Sequence, residues 1–197
     1  MQRNSYLLTC DIHSKRAIFC KQILEYVGFN VILVKCIPHP NKVLSNKLSM
    51  IHIFNLIKEN KDEWGYIFED DINLLKDIKL KEIIQYESIS KYMFYLGCCV
   101  IYGANHYMRN SETIYENPVV MVNGMVRGAH AYALSKEGVD KLLSFLENYE
   151  NYEYMDMILE KFTEIYPANV IQYNLESYIR GHRGIFFQDR IKFPSSI

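Results

Sequence analysis

Gly65-Tyr66-Ile67-Phe68-Glu69-Asp70-Asp71-Ile72 is the stretch on which the reading of the fold turns. Tyr66, Ile67 and Phe68 form a short apolar run that predicts a buried strand, and three consecutive carboxylates stop it. Adjacent carboxylates repel one another, so they belong where the sheet opens. In open α/β sheets that is the crevice beyond the carboxyl ends of the strands, where ligands bind. Along an extended backbone Glu69 and Asp71 point to one side and Asp70 to the other. A divalent cation would relieve the repulsion. Hard oxygen ligands suit magnesium or manganese, held by one or two carboxylates with substrate phosphates completing the shell. A solvated acidic turn accounts for the same residues, and only partners elsewhere in the chain separate the two readings.

Working outward, Tyr6 to Cys10 reads as a buried strand ending at Asp11. A helix follows, with Cys20, Ile23, Leu24 and Val27 on one face and Gly28 at its end. Val31 to Val34 is a second strand closed by Pro38-His39-Pro40, and a second helix covers about Val43 to Asn60. Downstream of the acids, Leu80, Ile83 and Ile84 mark a short helix, and Tyr92 to Leu96 a further strand. This alternation predicts an α/β fold around a mainly parallel sheet flanked by helices. Gly103 to Asn117 is polar and without period, which predicts a long loop. Asn123-Gly124 between two valine-rich runs predicts a small hairpin region. Ala129 to Leu134 is a strand running into Ser135 as N-cap, and the next helix buries Val139, Leu142, Leu143 and Leu146. Another helix covers about Tyr154 to Glu164, Val170-Ile171 adds a short strand, and the tail from Arg180 is basic and aromatic. With no repeat and no linker, residues 1–197 are expected to form a single domain.

Composition narrows the function classes. The 197 residues are 49% hydrophobic, enough for one core without staples. Their 22 basic and 23 acidic side chains argue against a dedicated nucleic-acid binder. Five cysteines, Cys10, Cys20, Cys36, Cys98 and Cys99, have apolar neighbours and no Cys-x-x-Cys spacing, which predicts reduced core residues in a reducing compartment. The low-polarity run from Tyr92 to Ala104 falls short of the ~20 residues that span a bilayer. Met1 to Ser5 leads into a strand without a secretory pattern, so a cytoplasmic protein without a transmembrane segment is expected.

The stretch from Gly65 to Ile72 resembles the strand and acidic motif of glycosyltransferase family 25, the lipooligosaccharide and collagen galactosyltransferase group. The resemblance runs along nearly the whole chain in order. It takes in Leu8 to Arg16, Ser49, Tyr95-Leu96-Gly97, the block Gly128-Ala129-His130-Ala131-Tyr132, then Asp156, Tyr166-Pro167 and Gln172. Two positions depart from the family pattern. Met50 stands where a histidine usually follows the serine, and Ala129 replaces a threonine. These bear on sugar and acceptor rather than on fold. The resemblance implies a GT-A-type nucleotide-sugar-binding fold, an inverting transfer and a role in lipopolysaccharide biosynthesis. It also implies a manganese (or magnesium) ion at Asp71, with Glu69 on the metal or on the nucleotide and Asp70 beside the donor.

Other candidates each carry two readings. An inverting transfer needs a base, and Glu153 and Asp156, three apart, share a helix face. Acids in a first turn are also favoured simply by the helix dipole. The family match selects Asp156 as base, with Glu153 as rival. His130 is either a hydrogen-bonded strand residue or, with Gly128 and Ala129 leaving room, part of the donor-sugar wall. His182, between glycines and arginines, is either a third metal ligand, as the resemblance implies, or part of a basic tail. Arg16 is a phosphate contact or an exposed helix arginine, and Thr9, Cys10 and Asp11 sit where the nucleotide base would lie. Tyr102, Tyr107 and Tyr152 are candidates for stacking on an acceptor. The expected activity is metal-dependent transfer of a hexose from UDP-galactose or UDP-glucose to a hydroxyl of a glycan or glycoconjugate. The alternatives are a catalytically silent nucleotide-sugar-binding protein, which would lack the base, and a metal-dependent phosphohydrolase, which should carry a nucleophile motif that the sequence does not show.

Overall fold

In the computed structural model, which describes residues 2–100, 119–122, 124, 126–149, 153–171 and 182–193, the apolar runs become strands whose side chains alternate between two cores. The first half of the chain forms β1 (Asn4–Thr9), α1 (Lys15–Val27), β2 (Asn30–Lys35), α2 (Lys42–Glu59), β3 (Trp64–Glu69) and β4 (Ile72–Leu74). Then come the short α3 (Leu80–Ile83), a 3₁₀ turn over Ile84–Ile89, and β5 (Met93–Val100). The remaining described elements are β6 (Val119–Val122), β7 (Val126–Ser135), α4 (Lys136–Glu147), α5 (Met155–Ile165), β8 (Ala168–Ile171), β9 (His182–Gly184) and β10 (Phe186–Gln188).

Among the described residues the main sheet has the order β2-β1-β3-β7-β5-β8-β6, with β9 against β5, while β4 and β10 form a separate antiparallel pair. β1 runs parallel to both β2 and β3, and β8 parallel to β5, whereas β7 is antiparallel to β3 and β5. The sheet is therefore mixed, with its parallel block on the β1 side. Period-two alternation then sorts the strand residues. Tyr6, Ile67, Tyr95 and Tyr132 join the core with residues of α2, α4 and α5. Leu7, Phe68, Phe94 and Ala131 join the other, with residues of α1 and α3. The result is three layers, helices on both faces of one sheet.

Local signals set the helix ends. Ser14 caps α1 by accepting from the Ala17 N–H, and Gly28, at φ 116°, closes it with its own N–H on Leu24 O. Ser135 caps α4 by accepting from the Gly138 N–H and donates to Lys91 O. A cap of this kind is worth about 1 kcal/mol. Packing requires glycine at 138, because a Cβ there would sit 2.1 Å from Tyr92 O.

Two expectations are corrected. Among the described residues β6 and β7 do not pair as the expected hairpin: β6 pairs with β8, while β7 pairs with β3 and β5. β6 lies instead on the outer edge of β8, with Val119–Val122 in register against Ala168–Ile171. Nor are all the cysteines core residues. Cys20 and Cys98 are buried, but Cys10 is exposed and Cys36 half-buried, since both lie just beyond strand ends. The loop expected over Gly103–Asn117, and Tyr102, Tyr107 and Tyr152, lie outside the described residues. Among the described residues no helix is long and apolar enough to cross a membrane.

Candidate functional site

The parallel block ends in a cleft of about 690 Å³. Its floor is the carboxyl ends of β1 and β3, with Thr9, Cys10 and the acidic triplet. One wall is the first turn of α2 and the residue Ser49, and the other is the start of β7 with the first turn of α5. This is the position at which an open α/β sheet binds ligands.

The triplet splits across a turn, since β3 ends at Glu69 and Asp70 and Asp71 form the turn into β4. Asp70 turns toward β1 and α1. It accepts from Thr9 Oγ1 at 2.5 Å and pairs with Arg16 Nη2 at 2.8 Å, while its own carbonyl accepts from Arg16 Nε at 3.0 Å. Glu69 and Asp71 share the other side. Gln188 Nε2 stands 3.2 Å from Glu69 Oε2 and 3.4 Å from Asp71 Oδ2. Gln188 reaches them because β10 pairs with β4, which sets it opposite Ile72, and because the Asp189 N–H donates to Asp71 O at 2.7 Å. Arg16 Nη2 lies 3.7 Å from Asp71 Oδ2. Asp71 Oδ1 is buried and has no hydrogen-bond partner among the described residues.

Electrostatics follow from this crowding. Burial, then the charges of Asp71, Asp156 and Asp70, push the Glu69 carboxyl up to about 8. Burial raises Asp71 as well, against the pull of Arg16. An isolated buried carboxylate oxygen is costly, and two carboxyls pushed toward neutrality beside each other form an environment that a cation would stabilise. Among the described residues no three His, Cys, Asp or Glu side chains converge on one point. The carboxylates on the cleft floor are those of Glu69, Asp70 and Asp71, with Asp156 on the wall.

Asp156 lies in the first turn of α5 and lines the cleft; its Oδ1 accepts from the Met157 N–H at 2.9 Å. Burial raises its carboxyl above the ordinary range. Glu153 differs in every respect. It is held by Lys161 Nζ at 2.8 and 2.9 Å and by the Tyr149 hydroxyl, and these donors lower its carboxyl. It does not line the cleft.

The cleft also brings together Thr9, Cys10, Arg16, Gly128 and Ala129, with Gly128 at φ 113° in the region that favours glycine. Asp11 is exposed and outside the lining, where its Oδ1 accepts from the His13 N–H. His130 is fully buried on β7, also outside the lining; a Cβ at Gly97 would meet its Nε2 at 2.7 Å. His182 lies on β9 opposite Cys99, and its side chain is outside the described part.

Sequence reasoning missed Gln188 and Arg190. Arg190 lines the cleft, donates to Gln188 Oε1 at 3.1 Å and makes no ion pair among the described residues. Arg127, on the opposite wall, is paired with Glu160 at 2.9 Å. Gln188 and Arg190 stand in the tail, far along the chain from the triplet. The only signal was the tail's basic character.

The family model for glycosyltransferase family 25 (LPS biosynthesis protein) matches residues 44–159, a span that contains Glu69 to Asp71, Gly128 to His130, Glu153 and Asp156. No curated protein matches the chain. Among solved structures, the crystal structure of A197 from STIV is similar over 87% of this chain and 82% of that one, at 9% identity and a TM-score of 0.47.

Proposed function

The chain belongs to glycosyltransferase family 25, and from that premise we propose that it is a metal-dependent, inverting hexosyltransferase of GT-A type. Its donor is a UDP-hexose, galactose or glucose, and its acceptor a hydroxyl of a glycan or glycoconjugate. The observation that carries this reading is the buried, unpartnered Asp71 Oδ1 beside Glu69 on the cleft floor. It supports a cation seat where the donor diphosphate would lie.

Glu69 and Asp71 would hold a manganese or magnesium ion, and Gln188 orients both carboxylates toward it. When bound, the ion would supply positive charge that stabilises the departing UDP. Asp70 acts indirectly, since its bonds to Thr9 and Arg16 turn it away from the cation side and pin the turn. Arg190 lines the cleft within electrostatic reach of Asp71 and makes no ion pair among the described residues, and it would meet the diphosphate. Gly128 and Ala129 leave room for the sugar against the β7 backbone. Asp156 takes the proton of the acceptor hydroxyl as that oxygen attacks the anomeric carbon and the bond to UDP breaks. Its raised carboxyl makes it a stronger base than an ordinary aspartate, whereas the lowered Glu153 is a weaker one.

Calorimetric titration with UDP tests the donor site. Binding is expected with manganese and at least tenfold weaker with a chelator, about 1.4 kcal/mol or more. Asp71→Ala should lose the manganese-dependent part. Equal affinity with and without metal, or normal binding by Asp71→Ala, refutes the proposal.

A further inference from the structure

Two cysteines stand side by side on the cleft floor. β1 and β2 are parallel with Thr9 opposite Lys35, so Cys10 and Cys36 follow as the next pair, and the Cys36 N–H donates to Thr9 O at 2.8 Å. Neighbouring strands are about 4.8 Å apart, which lies inside the Cα separation of about 4.4–6.8 Å that a disulfide requires. Both side chains line the cleft, and Cys10 is exposed while Cys20 and Cys98 are buried.

We propose that Cys10 and Cys36 are a dithiol modification site which small-molecule disulfides, such as glutathione disulfide, convert to an intramolecular disulfide across the cleft floor. The exposed Cys10 reacts first. Its thiolate attacks one sulfur of the reagent and expels one glutathione thiolate, leaving a mixed disulfide. The Cys36 thiolate then attacks the Cys10 sulfur and expels the second glutathione. Two protein thiols and one glutathione disulfide become one protein disulfide and two reduced glutathiones, so electrons and protons balance. Burial and the neighbouring sulfur push the Cys10 thiol up to about 11, so the reaction is slow at neutral pH and quickens as the solution becomes alkaline.

The bond would lock the ends of β1 and β2 next to Thr9, whose hydroxyl donates to Asp70. Its consequence for ligand binding rests on the donor-site reading above; the covalent chemistry does not.

The test is oxidation of the purified chain with glutathione disulfide, followed by intact mass measurement and peptide mapping without reductant. Loss of two hydrogen masses and a Cys10–Cys36 linked peptide are expected, reversed by dithiothreitol. Cys36→Ser should stop at a glutathione adduct on Cys10. A wild-type chain that accumulates the adduct without resolving it, links another pair, or stays reduced overturns the proposal, and needs no variant to do so. In a parallel titration the oxidised protein should bind UDP with manganese about tenfold more weakly, with recovery on reduction. A linked protein with unchanged UDP affinity overturns the coupling to the cleft. Absence of UDP binding by the reduced protein overturns the donor-site reading instead and leaves the crosslink result intact.

Discussion

Removing one charge from the acidic floor should stabilise the metal-free protein. Glu69 is pushed from its ordinary 4.5 up to about 8 by burial and by Asp71, Asp156 and Asp70. Between those values the folded chain keeps a proton that the unfolded chain has lost. The unfolded state then binds fewer protons, so stability declines as pH rises from about 4.5 through about 8. In full, that displacement corresponds to about 5 kcal/mol. Glu69 is partly exposed at the open side of the cleft, and solvent screening there leaves about 1–3 kcal/mol. Urea unfolding in chelator at pH 5 and pH 8.5 measures it. Wild type should lose about that much more stability across the interval than Glu69→Gln, and manganese should restore the wild type but not the variant. Equal pH dependence in the two proteins would refute the electrostatic account of the floor.

Two further predictions address the base and the scaffold. Asp156→Asn should lower turnover by about 10²–10⁴-fold with donor affinity nearly unchanged, while Glu153→Gln, whose parent carboxylate is tied to Lys161 and Tyr149, should change turnover little. Steady-state kinetics on both variants decides between them, and a dead Glu153→Gln beside an active Asp156→Asn would exchange the roles. Gly138→Ala should destabilise the fold by about 1–3 kcal/mol, because the new methyl meets the Tyr92 carbonyl and α4 must shift away from β5. Chemical denaturation checks this, and a neutral substitution would mean that the contact relaxes freely.

Much of the framework follows from local pattern. Runs such as Tyr66-Ile67-Phe68, the apolar face of α1 and the Ser135 cap each concern residues within a turn or two of one another, so their outcome depends little on the rest of the chain. The sidedness of the acidic triplet is not local: Asp70 and Asp71 lie in a turn, and Thr9, Arg16 and Gln188 set which way each acid faces. The three-residue β4 and β10 had no such signal. Strands that short carry no period and exist because they pair with each other.

Partner choice lay beyond the sequence for the same reason. Asn123-Gly124 carries the local chemistry of a hairpin, yet among the described residues β6 closes against β8 rather than β7. Cys10 looks apolar by its neighbours and is exposed, because the strand it follows ends at the cleft. Glu153 and Asp156 read in the sequence as equivalent acids on one helix face, but Glu153 lies before Tyr154, the N-cap of α5, where Lys161 and Tyr149 hold it, while burial takes Asp156. The sequence alone determined the alternating α/β framework, the acidic end of β3 and the residue types available to a donor site. Only the tertiary structure decided that Gln188 and Arg190, more than a hundred residues away, meet those acids, because pairing of β10 with β4 depends on the free energy of the assembled chain and on no local preference.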